Sequence, residues 1–362
     1  MKPYRFIISG GGTGGHMYPA LAIAHALKNA QPESEILFVG ALGKIEMEKV
    51  PQHGFPIKGL WISGFQRGQI KRNLLFGVKL MWSLLHSLWI LFRFRPQLAI
   101  GTGGFASGPM LWVAQLFGVK TILQEQNSYP GITNRFLAKR AKVVAVAYAG
   151  LEKYFSGTKL AFTGNPVRLS LLELPHATDE LYNDFGLNPK RPVLLVLGGS
   201  LGALKINELM AAHYQAFLAC GYQILWQCGR NYYEKYIALE GEAVKICDFI
   251  GEMDKAYALA DVILSRAGAG TLSELSCVGR PTVLIPSTNV AEDHQLKNAK
   301  AFVDANAALL IEEAEADQLF EKELVGLLMD EDRKQKMAGN IRQLAKPEAT
   351  DSIVELIKNI VQ

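Results

Sequence analysis

The chain has 362 residues, a length that suggests two domains. Hydrophobic residues make up 49% and charged residues 20%, which excludes a disordered chain and supplies material for packed cores. Cys220, Cys228, Cys247 and Cys277 show no C-x-x-C pairing, which argues against a zinc ribbon or disulfide framework and points to a reducing compartment.

The net charge of +4 conceals a split. Residues 1–165 hold 19 Lys/Arg against 6 Glu and no Asp; residues 166–362 hold 19 Lys/Arg against 28 acidic residues. No acidic residue occurs between Lys49 and Gln124. Such asymmetry suggests that the first half faces something anionic, with nucleic acid, anionic lipid and a phosphorylated substrate as the classes it admits.

In chain order, residues 4–9 read as a strand, 10–15 as a glycine loop and 19–27 as a helix. Further strands are expected at 36–39, 97–100, 121–123 and 143–146, with a second glycine loop at 101–104. The scheme restarts after Asn165-Pro166. A strand at 193–197 leads to the loop 198–203 and a helix at 205–219. Strands at 223–227, 262–265 and 283–285 follow, with a glycine loop at 268–270, and the end of the chain is helical. Strands alternating with helices imply parallel sheets covered on both faces. The expectation is two doubly wound halves facing a cleft, with ligands at the carboxyl ends of the strands. Domain boundaries are placed at 1–165, 166–340 and 341–362, the last a helical segment that packs back on the first half.

The stretch 74–92 is apolar except for Gly77, Lys79, Ser83, His86 and Ser87. Its length barely admits a membrane span, and Lys79 and His86 argue against one. Polar positions 72, 79, 83 and 86 share a helical stripe, so an interfacial amphipathic helix flanked by Arg67, Lys71, Arg72, Arg93 and Arg95 fits the pattern. A crossover helix buried on the sheet fits it too.

A glycine turn entering a helix presents backbone N–H groups and the positive end of the helix dipole, a setting for phosphate. One such turn is weak evidence; four, each after a strand, favour a diphosphate or nucleotide. A dinucleotide oxidoreductase would carry an acidic residue at the end of the second strand. Here 36–44 reads Ile-Leu-Phe-Val-Gly-Ala-Leu-Gly-Lys and 224–230 reads Ile-Leu-Trp-Gln-Cys-Gly-Arg, with no carboxylate in either. The GxxxxGK[ST] loop of ATPases is absent as well. In Ser265-Arg266-Ala267-Gly268-Ala269-Gly270-Thr271-Leu272-Ser273-Glu274, Glu274 is read as pointing from the first helical turn. It could hold a ribose diol, or close a capping box with Thr271; spacing leaves both open.

Six segments occur in a specific order: 11–16 (GGTGGH), 101–109 (GTGGFASGP), 125–127 (EQN), 164–168 (GNPVR), 198–203 (GGSLGA) and 265–274 (SRAGAGTLSE). Together they resemble, over residues 5–300, the bacterial peptidoglycan transferases of glycosyltransferase family 28. These enzymes add N-acetylglucosamine (GlcNAc) to lipid I. The resemblance implies a glycosyltransferase B fold and inverting transfer of GlcNAc from UDP-GlcNAc to the C4 hydroxyl of N-acetylmuramic acid (MurNAc) in undecaprenyl-diphospho-MurNAc-pentapeptide, giving lipid II. It also implies a peripheral enzyme at the cytoplasmic face of the cell membrane. Its partners would be UDP-GlcNAc, lipid I, an anionic membrane surface and other cell-wall synthesis proteins, with no nucleic acid and no cofactor.

By the same resemblance, Thr13, Gly14, Gly15, Asn127, Arg168 and Ser200 would contact UDP-GlcNAc. Ile250 would meet uracil through its backbone. Ala269, Gly270, Thr271, Leu272, Ser273 and Glu274 would hold diphosphate and ribose, with Glu274 on the diol, and Gln295 would read the sugar. No metal is required if helix N-termini and Arg168 hold the leaving diphosphate. The one Asp-x-Asp triplet, Asp330-Glu331-Asp332, is read as a solvated helix face. His16, in a glycine loop and titrating near neutrality when unperturbed, is the first candidate base, and Glu125 the second. Gln124 stands where many members have His, which shifts weight to His16 or Glu125. A UDP-GlcNAc 2-epimerase and a non-catalytic UDP-sugar-binding protein are the alternatives.

Overall fold

Each half of the chain is organised by a parallel sheet whose strands are apolar along nearly their whole length, as burial on both faces demands. The computed structural model describes residues 3–64, 75–199, 201–288 and 293–362. The chain divides into two compact units, Met1–Val167 with Lys346–Gln362, and Arg168–Ala345.

In the first unit the strands are β1 (Arg5–Gly10), β2 (Glu35–Ala41), β3 (Ile57–Leu60), β4 (Leu98–Gly103), β5 (Lys120–Glu125), β6 (Val143–Val146) and β7 (Leu160–Phe162). They pair in the order β3-β2-β1-β4-β5-β6-β7. Strand alternation sends Ile7, Val39, Ala99 and Leu123 to one face, under the helices Phe76–Phe94, Ser107–Leu116 and Ile132–Ala138. Phe6, Ile8, Phe38 and Ile100 point to the other, under the helix Gly14–Ala30. The last helix, Ala349–Val361, closes this second core with Ile353, Val354 and Ile357.

The second unit carries β8 (Val193–Leu197), β9 (Gln223–Gln227), β10 (Val244–Cys247), β11 (Val262–Ser265), β12 (Thr282–Leu284) and β13 (Leu309–Leu310). Their order, β10-β9-β8-β11-β12-β13, repeats that of the first unit. In both sheets the order reverses between the first and fourth strands, β1/β4 and β8/β11. That is the switch point where ligands bind in open α/β sheets. The four glycine loops follow these four strands, two per switch point.

One expectation is corrected by the structure. The helix Phe76–Phe94 lies on the sheet with its serines inward: Ser83 and Ser87 are fully buried, and Ser83 Oγ donates to Trp61 O at 3.0 Å. Val78, Met81, Trp82, Leu85, Trp89 and Phe92 are each more than half exposed. The expected polar stripe at 79, 83 and 86 is therefore not the water-facing one, and the helix is not simply buried either. Serine is small enough to let a helix approach a sheet closely, so its polarity misleads about direction. Arg67, Lys71, Arg72 and Leu74 fall outside the described residues. Asp330, Glu331 and Asp332 are all exposed, as expected of a solvated face, and Asp330 caps the helix Glu331–Gln343 by accepting the Arg333 N–H at 2.9 Å.

Candidate functional site

At the first switch point, β1 ends in Gly10 and the chain turns through Gly11 and Gly12 (φ +88). Thr13 is the extended residue before the helix and is exposed, as is Gly15. The loop is held by a residue that motif reasoning did not find. The buried carboxylate of Glu46 accepts the Gly12 N–H at 2.9 Å and the Ala41 N–H at 3.0 Å. The search for an acidic residue at the end of β2 missed it because it sits one turn further on, in the helix Glu46–Gln52. It binds the glycine loop rather than a ribose.

His16 lies in the first turn of the helix Gly14–Ala30 and is half-buried. Its Nδ1 lies 3.0 Å from Thr102 O and 3.1 Å from Gln126 Oε1. Thr102 O can only accept, and Gln126 directs its amide nitrogen at the same carbonyl at 2.6 Å. Nδ1 must therefore carry the proton, which places the lone pair of the neutral ring on Nε2. The ring packs against Gly103 and Gly104, where a Cβ would sit 3.0 Å from ring atoms; no larger residue fits there without moving the imidazole.

Behind His16 runs a buried network of amides. Gln124 Nε2 donates to Asn165 Oδ1 at 2.8 Å, Asn165 Nδ2 donates to Gln126 O at 3.0 Å, and Gln126 Nε2 also reaches Gln124 Oε1. Gln124 is thus a structural member of the network, fully buried. Glu125 is buried and saturated. Oε1 accepts the Asn127 N–H at 3.0 Å and Nδ2 at 3.2 Å; Oε2 accepts Asn134 Nδ2 at 2.9 Å and the Gly131 N–H at 3.2 Å. Burial pushes its carboxyl above the usual range against the pull of these donors. This geometry makes Glu125 a clamp on the turn that carries Asn127.

The second switch point is built differently. Gly198, Gly199 (φ +76) and Gly202 (φ +85) turn the chain out of β8. Gln227, at the end of β9, bridges outward: Nε2 donates to Gly199 O at 3.1 Å and Oε1 accepts the Ile250 N–H at 2.8 Å. With its N–H so engaged, Ile250 can offer a ligand its carbonyl but not its N–H. Ser200 lies outside the described residues.

After β11 the helix Ala269–Val278 starts from Gly268, and no side chain caps it. Glu274 therefore sits in the second turn, not the first, and Thr271 is the third helical residue rather than the cap, so the capping box is excluded. Glu274 is instead held side-on by Arg168: Nε to Oε1 at 2.9 Å and Nη2 to Oε2 at 3.1 Å. Tyr257, missed by the sequence reading, is buried beside the pair. Burial, with the Glu274 charge adding, drives its hydroxyl well above the ordinary value. The Leu272 side chain is in the core and its N–H donates to Gly268 O at 2.9 Å, while Ser273 Oγ donates back to Ala269 O at 3.1 Å, so Leu272 offers a ligand neither side chain nor N–H and the Ser273 hydroxyl is already engaged as a donor.

Gln295 Oε1 accepts the Ser287 N–H at 2.9 Å, tying the start of the helix His294–Asp304 to the end of β12. Arg266 and Glu313 link the segments after β11 and β13 at 2.5 Å, with Thr288 Oγ1, after β12, donating to Glu313 at 2.7 Å. Burial opposes ionisation of Glu313, but Thr288 and Arg266 outweigh it and hold the carboxyl below its usual range.

Comparison with known proteins adds to this geometry. The profile of the glycosyltransferase family 28 N-terminal domain matches residues 6–146, and that of its C-terminal domain matches residues 193–355. A protein of Flavobacterium psychrophilum is 49% identical over 363 aligned residues, covering 100% of this chain and 99% of its own. One of Porphyromonas gingivalis is 46% identical, covering 99% and 96%. Both are named UDP-N-acetylglucosamine--N-acetylmuramyl-(pentapeptide) pyrophosphoryl-undecaprenol N-acetylglucosamine transferase. The crystal structure of Acinetobacter baumannii MurG superposes with a TM-score of 0.79 at 27% identity, covering 99% of this chain and 100% of that one. CalG4, the calicheamicin glycosyltransferase, superposes at 0.72 with 13% identity, covering 100% and 99%, which speaks to the fold alone. With both halves matched and full-length relatives near half identical, this chain belongs to glycosyltransferase family 28 and has the glycosyltransferase B fold.

Proposed function

We propose that this chain transfers GlcNAc from UDP-GlcNAc to the C4 hydroxyl of MurNAc in undecaprenyl-diphospho-MurNAc-pentapeptide, lipid I, giving lipid II with inversion at the anomeric carbon. The observation that carries the reading is the unbroken likeness, at 49% identity over the full chain, to a protein named for that transfer. The chemistry of the two switch points is compatible with it.

In this reading the second unit takes the donor. The helix start at Ala269, Gly270 and Thr271, with Ser200 and Arg168, meets the diphosphate. Glu274 takes the ribose diol, the Ile250 carbonyl meets uracil, and Gln295 meets the sugar. Leu272 anchors that helix start in the core and Ser273 ties back to Ala269 O. Thr13, Gly14, Gly15 and Asn127 contact the donor from the first unit. His16 Nε2 removes the proton of the acceptor hydroxyl as O4 forms its bond to the anomeric carbon. The bond from that carbon to the diphosphate breaks, and the electron pair leaves with UDP. Arg168 and the helix N-terminus stabilise that charge where it develops, a task that needs no metal. Glu125 positions Asn127 and the turn around it.

The exposed apolar stripe of Phe76–Phe94 supports a peripheral seat on an anionic membrane at the cytoplasmic face. Trp61, Val78, Met81, Trp82 and Leu85, with Gly77, line an open apolar cavity of about 390 Å³ there. Lys79 Nζ lies 5.7 Å from the Trp61 ring centroid, and Arg93 and Arg95 close the helix. No helix among the described residues is long and apolar enough to cross a membrane. Anionic lipid near such a surface attracts each Lys or Arg by about 1 kcal/mol.

The test is UDP release from UDP-GlcNAc with and without a lipid I analogue, in EDTA. Acceptor-dependent release with a GlcNAc-MurNAc product is expected. Conversion of the free UDP-sugar, or binding without turnover, would move the assignment to an epimerase or a binding protein. Trp82→Ser with Trp89→Ser should lower binding to phosphatidylglycerol vesicles about tenfold or more and leave turnover of a water-soluble acceptor unchanged. Undiminished vesicle binding would remove the helix from the membrane contact.

A further inference from the structure

The two side chains assigned to opposite ends of the nucleotide, Arg168 and Glu274, hold each other through two parallel hydrogen bonds of 2.9 and 3.1 Å. They are unequal partners. The Arg168 side chain keeps 48% of its accessible surface and Glu274 only 18%. Behind Glu274 the helix runs into the core through Leu272 and Leu275, and Tyr257 is fully buried beside it. Glu274 is therefore a fixed, half-buried anion and Arg168 the half-exposed group that neutralises it.

We infer that the Arg168–Glu274 ion pair is a specificity device that makes the donor site demand a ribose diol and a diphosphate in one molecule, so that it rejects ligands carrying only one of them. This inference rests on the nucleotide-site reading above. What each ligand leaves behind decides how well it binds. A nucleoside that takes Glu274 with its two hydroxyls must displace a bidentate, charge-assisted partner and replace it with neutral donors. It offers Arg168 nothing in return. An inorganic anion that draws Arg168 away leaves Glu274 half-buried without its cation, a position that costs more than an exposed unpaired charge. It also sets its own negative charge close to that carboxylate. A nucleoside diphosphate does both exchanges together. Arg168 passes from one carboxylate to a more highly charged diphosphate, and the hydroxyls satisfy Glu274 as the guanidinium leaves. Free nucleosides and free phosphates then compete poorly with the intact donor, although each matches part of the site.

The device predicts a crossover that simple contact loss does not. Calorimetric titration of the full chain with uridine, UDP and inorganic pyrophosphate reads it. Arg168→Gln should bind UDP about tenfold or more weakly, because a charge-assisted contact is gone. The same variant should bind uridine about two- to fivefold more tightly, because the competitor for Glu274 is gone. Glu274→Gln should bind pyrophosphate more tightly by a similar factor and UDP more weakly. Thermal melting of both variants within a few degrees of the parent confirms that they are folded, and Arg168→Lys should fall between parent and Gln for both ligands. Uridine binding that is unchanged or weaker in Arg168→Gln, while the parent chain binds UDP, overturns the device alone. A parent chain that binds no UDP overturns the device and the nucleotide-site reading together.

Discussion

The two sheets share one strand order, and their switch points are used in opposite ways. In the first unit the carboxyl ends of β1, β4 and β5 are filled by the protein's own groups. Glu46 supplies an internal anion to the glycine loop at 2.9 Å, and Gln124, Gln126, Asn165 and Thr102 converge behind one imidazole. In the second unit the helix after β11 starts without a side-chain cap, and the polar groups near it, Arg168 and Glu274, pair with each other beside the buried Tyr257. In the proposed reading one switch point is a mount for a base and the other a receptor for an anion. Identical topology thus says little about chemistry, which lies in the loops.

Replacing His16 tests this division most severely. His16→Ala should lower kcat about 100- to 10,000-fold, the usual range for a general base, while UDP affinity measured by calorimetry stays unchanged. If UDP affinity falls in parallel with kcat, the imidazole belongs to the donor site and the division fails. Next in size is the internal anion. Glu46→Ala leaves the Gly12 and Ala41 N–H groups buried without an acceptor and should cost about 3 kcal/mol in urea unfolding. Glu46→Gln keeps one acceptor oxygen and should recover part of that loss. If Glu46→Ala is no less stable than the parent, the glycine loop is held by something other than this carboxylate.

The contrast also explains what could be read in the sequence. Glycine loops after apolar runs marked all four switch-point strands; three of these turns require glycine, whereas Gly268 after β11 sits at φ −65, where other residues also fit. Gly12, Gly199 and Gly202 sit at φ of +88, +76 and +85, where other residues are strained. Side-chain partnerships were less legible. Arg168 and Glu274 are 106 residues apart, and Glu46 lies beyond the strand end where an acidic residue was sought. Local spacing carries no signal for either. The helix Phe76–Phe94 misled for another reason. Both of its faces are largely apolar, so the few polar residues dominated the pattern, and two of them, Ser83 and Ser87, are small enough to be buried. Gln124 was noticed only as a missing histidine; that it is a fully buried part of an amide network depends on Asn165, 41 residues on.

The smallest expected effect separates the units by acid response. Glu313 is held below its ordinary range: burial works against ionisation, but Thr288 and Arg266 prevail. A carboxyl lowered in the folded state adds stability above its unfolded value, about pH 4.3. That stability is lost as pH falls through the lower folded value. Glu125 has the opposite sign. Burial raises it, so acid relieves a charge that the fold disfavours, and its term grows more favourable as pH drops. Acid weakening should therefore come from the second unit, from the Arg266–Glu313 tie and from Glu331, which the hydrogen bond donated by Lys334 also holds down. Glu313→Gln should lose less than about 1 kcal/mol at neutral pH, since the pair retains some solvent screening. The gap to the parent should close in thermal melts below about pH 4. A gap that persists unchanged at low pH would mean that Glu313 acts through packing rather than charge. The ties around the second switch point would then be no more electrostatic than the amides around the first.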